Sequence, residues 1–240
     1  MSRNFSEYYK NRGVVDTYDS QRLGGLKGKV TRKLEYVFVD MLTEIPKKQK
    51  ILEIGVGTGF FSKMLAAKGN FTGLDISEEM LKKTKRILPK SKFVTGNILD
   101  LRLKDKYDKV ITIRVISHFD KTKAGLALKN INKVVKKGGE VIFNLENRSI
   151  ARRILRKITN WGSTYTYQYN KRDMQSLIKS SGFDNVKVFY LDHFFILPLH
   201  LINKLLFNSL EEAIFNLEMR LKHFAPFSNT LFIKCRKQYS

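Results

Sequence analysis

The sequence predicts an α/β fold, a doubly wound and mostly parallel seven-stranded sheet with an antiparallel edge strand and a helical C-terminal insertion. Three observations predict it. Short apolar runs alternate with helical stretches from residue 50 onward, which is the pattern of a parallel sheet with crossover helices. A glycine-rich turn joins the first of these runs to a helix. The chain has 240 residues, 42% hydrophobic and 12% aromatic, enough apolar material for one sizeable core.

Each element has its own signal. Val30, Leu34, Val37, Phe38, Met41, Leu42 and Ile45 recur at helical spacing, and Pro46 stops that helix. Ile51 to Ile54 is a short strand, and Phe60 to Ala67 a helix. Asn70 to Leu74 is a second strand, ending at Asp75. Ser77 is placed to cap the next helix, with Glu78 and Glu79 in its positive first turn. Lys92–Thr95 and Asp108–Ile113 are the third and fourth strands. Lys121 to Lys137 is a helix closed by Gly138-Gly139, and Glu140 to Leu145 the fifth strand. Beyond it, Ile150–Ile158 reads as a basic amphipathic helix and Lys171–Ser181 as a helix ended by Gly182. Val186–Leu191 and Leu231–Cys235 read as strands that enclose two helical stretches, near Leu197–Phe207 and Leu210–Lys222. That arrangement suggests an antiparallel pair at the sheet edge. The chain reads as a single domain: a helical cover over 1–46, a core over 47–148, and substrate-side helices with the last two strands over 149–240.

Composition removes several classes. Cys235 is the one cysteine, which excludes a disulfide scaffold and a structural zinc or iron–sulfur site built on cysteines; no metal is expected. The net charge of +23 suits a nucleic acid or an anionic membrane. The excess is spread along the chain, however, and reads first as a lysine-rich solvated surface. The N-terminus has no apolar signal segment, and the greasy run Phe194–Phe207 is interrupted and too short to span a bilayer. A cytoplasmic location is expected, with peripheral membrane contact left open. The sequence gives no oligomer signal.

The chemistry sits in Ile51-Leu52-Glu53-Ile54-Gly55-Val56-Gly57-Thr58-Gly59-Phe60. Glycines admit positive φ and leave no Cβ to block a ligand, and the helix that follows offers free backbone N–H groups. Asp75, at the end of the next strand, can accept hydrogen bonds from ribose hydroxyls. The glycine spacing is G-x-G-x-G, not the dinucleotide G-x-G-x-x-G, and no phosphate-loop motif occurs. A ligand with ribose and adenine but no phosphates fits best, and S-adenosyl-L-methionine is that ligand.

From about Tyr18 to Leu191 the sequence resembles the class I S-adenosylmethionine-dependent methyltransferases, in the broad group acting on small molecules. The segments that carry the resemblance are Glu53–Gly59, Thr72–Leu81, Phe93–Ile98, Tyr107–Ile111, Val115–Phe119 and Lys136–Glu140. It implies the Rossmann-like methyltransferase fold and these roles. The backbone of Gly55, Val56, Gly57, Thr58 and Gly59 wraps the methionine part. Glu53 orients the amine. Asp75 holds the ribose with Ile76 against the adenine, and Asn97, where many relatives have Asp, bonds the adenine amino group with Ile98 nearby. Arg114 lines the cofactor through its backbone. Tyr18 and Arg22 belong to an N-terminal segment that closes over the site.

Methyl transfer needs chiefly alignment and exclusion of water. Where the acceptor must lose a proton, His118, in the turn after the fourth strand, is the base that the sequence offers; its alternative role is structural. The expected acceptor is a small or lipid-like molecule at O, N or C. The apolar run His193–Leu199 and the cluster Arg152, Arg153, Arg156, Lys157 near Trp161, Tyr165, Tyr167 and Tyr169 are the segments to select it. Two rivals stay open: an RNA methyltransferase using the basic surface, and a non-catalytic cofactor-binding protein.

Overall fold

The computed structural model describes residues 5–23, 26–44, 48–149, 166–193, 211–224 and 228–239. Three helices lead: α1 (Phe5–Lys10), α2 (Arg12–Leu23) and α3 (Leu26–Leu42). Then β1 (Lys50–Ile54), α4 (Ser62–Lys68), β2 (Asn70–Asp75), α5 (Glu78–Ile87), β3 (Lys92–Thr95) and β4 (Tyr107–Thr112) follow. A 3₁₀ turn (Ile116–His118) precedes α6 (Lys121–Val134) and β5 (Val135–Asn147). After β6 (Gln168–Tyr169) come α7 (Lys171–Ser180), β7 (Phe183–His193), α8 (Glu211–Arg220) and β8 (Ser228–Lys237).

The sheet order is β3-β2-β1-β4-β5-β8-β7. Strands β1 to β5 are mutually parallel, and β8 runs antiparallel to both β5 and β7. The doubly wound sheet and the antiparallel pair at its edge are as the sequence predicts. The antiparallel strand β8 lies one place inside the edge strand β7, and β6 adds a two-residue eighth strand beside Glu146 and Asn147.

Adjacent strand residues face opposite ways, and both faces are apolar because both are covered. Leu52, Val110, Val141 and Phe143 pack under α6 and α7 against Ala124, Leu128, Met174 and Ile178. Ile51, Ile111, Ile142 and Phe232 pack under α3 and α4 against Phe38, Leu42, Met64 and Leu65. Ser77 caps α5 by accepting from Met80 N, as expected, and Asp120 caps α6 by accepting from Lys123 N.

Helix boundaries differ from those expected: α3 ends at Leu42, short of Ile45 and Pro46, and α4 spans Ser62–Lys68, not Phe60–Ala67. Helix α6 ends at Val134, and Val135 already pairs with Tyr107. The ammonium groups of Lys106 and Lys237 donate to the carbonyls of Lys133, Asn132 and Val135. Those contacts satisfy the helix end before Gly138-Gly139 is reached. The expected helices over 150–158 and near 197–207, with Arg152, Arg153, Arg156, Lys157, Trp161 and Tyr165, lie outside the described residues.

Candidate active site

The carboxyl ends of β1, β2 and β4 meet where the glycine turn leaves β1. Gly55 N donates to Leu74 O at 2.7 Å, tying the turn to β2. Gly55, Gly57 and Gly59 have φ of +82°, +55° and +85°, the left-handed region that a side chain resists. A Cβ at Gly55 would lie 2.2 Å from Val115 Cγ2, whereas one at Gly57 would meet nothing within 4 Å. Gly55 is therefore needed for packing, and Gly57 faces open space.

Asp75 locks this turn. Its carboxylate accepts from Gly57 N and from Ser77 N, each at 2.8 Å. It joins the glycine turn to the start of α5, and burial raises its pKa. Ile76 is half-buried beside it. Glu53 is almost fully buried and accepts from Ser62 Oγ at 2.5 Å. Burial pushes its pKa up to about 8, against the lowering effect of Ser62 and with a further push from Asp75.

A carboxyl group that holds its proton more tightly folded than unfolded stabilises the fold fully below the unfolded pKa. The contribution fades as pH rises through the folded pKa. The protein should therefore lose a few kcal/mol between pH 4.5 and about 8 through Glu53. Melting temperatures across that range should fall for the unmodified chain and stay flatter for Glu53→Gln. Parallel curves would remove Glu53 as the cause.

The strand β4 side carries more than its sequence announces. Arg114 has φ +60°, and its N–H donates to Asn144 Oδ1 at 2.6 Å. Its guanidinium grips buried Glu35 of α3, with Nε at 2.9 and 3.1 Å and Nη2 at 2.7 Å. Burial works against the charge on Arg114, but Glu35 outweighs it and raises the pKa. The Arg114 side chain is thus engaged with α3. His118 Nε2 lies 3.3 Å from the Tyr9 hydroxyl, and Tyr9 packs edge-on to Tyr18 with ring centroids 6.1 Å apart. Helices α1 and α2 thereby cover the turn. Asp19 of α2 accepts from Thr58 Oγ1 at 2.9 Å, and Arg32, which stacks on Phe60, pairs with the same carboxylate.

The fold brings Tyr18, Glu53, Gly55 to Gly59, Asp75, Ile76, Arg114 and His118 to one end of the sheet. Asn97 sits further out, exposed, and its Oδ1 accepts from Leu99 N at 2.9 Å. Ile98 is buried in the core. The side chains of Arg22 and His193 lie outside the described residues. Tyr9, Asp19, Glu35, Ser62 and Asn144 were not singled out from the sequence. Only Asn144 had a visible signal, as a polar residue inside the buried run Ile142–Leu145.

The sequence model of a family described as a methyltransferase domain matches residues 51–139. A malonyl-[acyl-carrier protein] O-methyltransferase from Hamiltonella defensa is 35% identical over 100 residues, 41% of this chain and 38% of that protein. The chain thus matches well under half the length of that relative. In fold it is similar to magnesium protoporphyrin IX methyltransferase from Synechocystis PCC 6803, solved with bound SAH. That likeness has a TM-score of 0.65 at 16% identity, over 98% of each chain. A S-adenosylmethionine-dependent methyltransferase from Clostridium acetobutylicum gives 0.61 at 12% identity, over 87% of this chain and 92% of that one. Residues 51–139 thus match a methyltransferase domain, and the sheet has the fold of the solved S-adenosylmethionine-dependent methyltransferases it resembles.

Proposed function

We propose that the chain binds S-adenosyl-L-methionine at the carboxyl ends of β1 and β2 and transfers its methyl group to a small-molecule or lipid-like acceptor. The observation that carries this reading is the Gly55–Gly59 turn, open at Gly57 and locked to buried Asp75. The residues fit the cofactor. Glu53 is a buried carboxyl with a hydroxyl and no cation beside it among the described residues, so a cationic amine restores its ionised form. Asp75 has the charge and position for ribose hydroxyls. Ile76, Asn97 and Ile98 supply the adenine side, and Tyr18 with Arg22 the cover.

The bound cofactor supplies a methyl group on a positively charged sulfur, an activated leaving group. The protein's part is to orient the acceptor in line with it and to exclude water. Tyr9 and Tyr18 on the cover and the Arg114–Glu35 pair below form the walls for that. His118, oriented by the Tyr9 hydroxyl at Nε2, receives the acceptor's proton on its imidazole ring when one must leave, and becomes imidazolium.

Incubating the chain with labelled S-adenosyl-L-methionine and a fractionated cell extract tests the reading. Label is expected in small molecules or lipid. Label confined to RNA would replace it with the RNA reading, and cofactor binding without any labelled product would favour a non-catalytic role. His118→Ala should lower turnover about a hundredfold or more. Tyr9→Phe should lower it less and displace the pH–rate profile. An unchanged profile in Tyr9→Phe would restrict Tyr9 to packing.

A further inference from the structure

The even spread of basic residues in the sequence becomes uneven among the described residues of the fold. Every crossover returns the chain to the amino-terminal end of the parallel strands, opposite the glycine turn. Lys50 opens β1, Lys92 opens β3, Lys106 precedes β4 and Lys136 is the second residue of β5, while Arg236 and Lys237 end the antiparallel β8 there.

The carboxylates at that end are already shared. Asp105 holds both Lys50 and Lys92, at 3.2 and 3.0 Å. Glu140 holds Lys109, Lys234 and Arg236, at 2.5, 3.3 and 3.1 Å. Asp108 holds Lys136. Lys106 and Lys237 donate to backbone carbonyls instead. Lys90, Lys104 and Lys137 are exposed, without a carboxylate partner among the described residues. Burial lowers the Lys237 pKa, and the nearby charges of Lys106 and Lys137 lower it further. At the active-site end the described carboxylates are more numerous: Asp16 takes Lys83, Asp19 takes Arg32, Glu35 takes Arg114, Asp173 takes Lys121 and Glu79 takes both Arg12 and Lys82, while Lys63, Lys123 and Lys171 are exposed without a carboxylate partner among the described residues.

Apolar side chains stand out among these lysines. Ile87, Val186 and Tyr239 are 54%, 40% and 74% exposed, and all three lie at the amino-terminal end. Single-stranded nucleic acid is gripped by aromatic platforms and planar arginines. At this end Arg236 is taken up by Glu140 and Tyr239 is a single exposed ring, whereas lysines around isolated apolar tips match an anionic interface, where charge attracts and apolar tips enter the headgroup layer.

We propose that the amino-terminal end of the sheet is a docking surface for an anionic lipid bilayer, with the active site held on the side away from it.

The test is sedimentation of the whole chain with vesicles, of phosphatidylcholine alone or with roughly one-third phosphatidylserine. Binding is expected to the anionic vesicles only and to weaken with added salt. The triple variant Lys90→Glu, Lys104→Glu, Lys137→Glu should lose about a hundredfold in binding, from roughly fivefold per lysine. A charge-matched triple at the other end, Lys63→Glu, Lys123→Glu, Lys171→Glu, should lose much less. Equal binding to both vesicle types, equal loss in the two triples, or binding of a single-stranded RNA in preference to anionic vesicles would each overturn the proposal. If the first triple melts early, the vesicle and salt dependence of the unmodified chain decides. Binding is read without cofactor or acceptor, so its failure leaves the methyl-transfer reading untouched.

Discussion

Asp75→Ala should weaken S-adenosyl-L-methionine binding by about a hundredfold or more, measured by calorimetry. Two effects combine. The carboxylate is the ribose acceptor in the proposed site, and a hydrogen bond to a charged group contributes about 1.5–3 kcal/mol. The same two oxygens hold Gly57 N and Ser77 N, each at 2.8 Å. Alanine leaves those N–H groups without their acceptor and frees the turn from α5, so binding must also reorder the loop. Asp75→Asn separates the two effects. It retains one acceptor but turns a donor toward a backbone N–H, and should fall between the alanine variant and the unmodified chain. Undiminished affinity in Asp75→Ala would remove the whole cofactor assignment.

Gly55→Ala is the second large effect, and it acts on the fold. The left-handed backbone at φ +82° costs a side chain about 1–2 kcal/mol. A Cβ 2.2 Å from Val115 Cγ2 adds overpacking of about 1–3 kcal/mol. Together these are a large share of a total stability of about 5–15 kcal/mol. The melting temperature should drop by about 5–15 °C at roughly 2–4 °C per kcal/mol. Adding Val115→Ala should recover the steric part and leave the dihedral part. Full recovery would mean that the backbone conformation carries no cost, and no recovery that Val115 is not the obstacle. Val115 leads directly into the turn that bears His118, so the single variant should also lower turnover beyond its effect on cofactor binding.

Much of this site was legible because its signals are local. The strand–turn–helix run Ile51–Phe60, the cap at Ser77 and Asp75 at a strand end each rest on neighbours within a few residues. Their geometry is dictated by backbone freedom and by orphan N–H groups at a helix start. The partners that fix those groups were not legible. Tyr9 meets His118 across 109 positions and Glu35 meets Arg114 across 79, and nothing near Tyr9 or Glu35 marks it out from other tyrosines and glutamates. The end of α6 was misplaced for the same reason. Gly138-Gly139 is a local stop signal, whereas the lysines that cap the helix earlier come from positions 106 and 237.

The sequence by itself determined the α/β class, the succession of strands and helices along the chain to the fifth strand and the chemistry of the glycine turn, because periodicity, capping and glycine geometry are short-range. Only the tertiary structure decided which side chains orient His118 and Arg114 and which lysines of the described residues gather at one end of the sheet. Repeated crossovers carry residues spaced along the whole chain to one end of the sheet. Lysines spaced evenly in the sequence thus meet, among the described residues, at the end opposite the glycine turn.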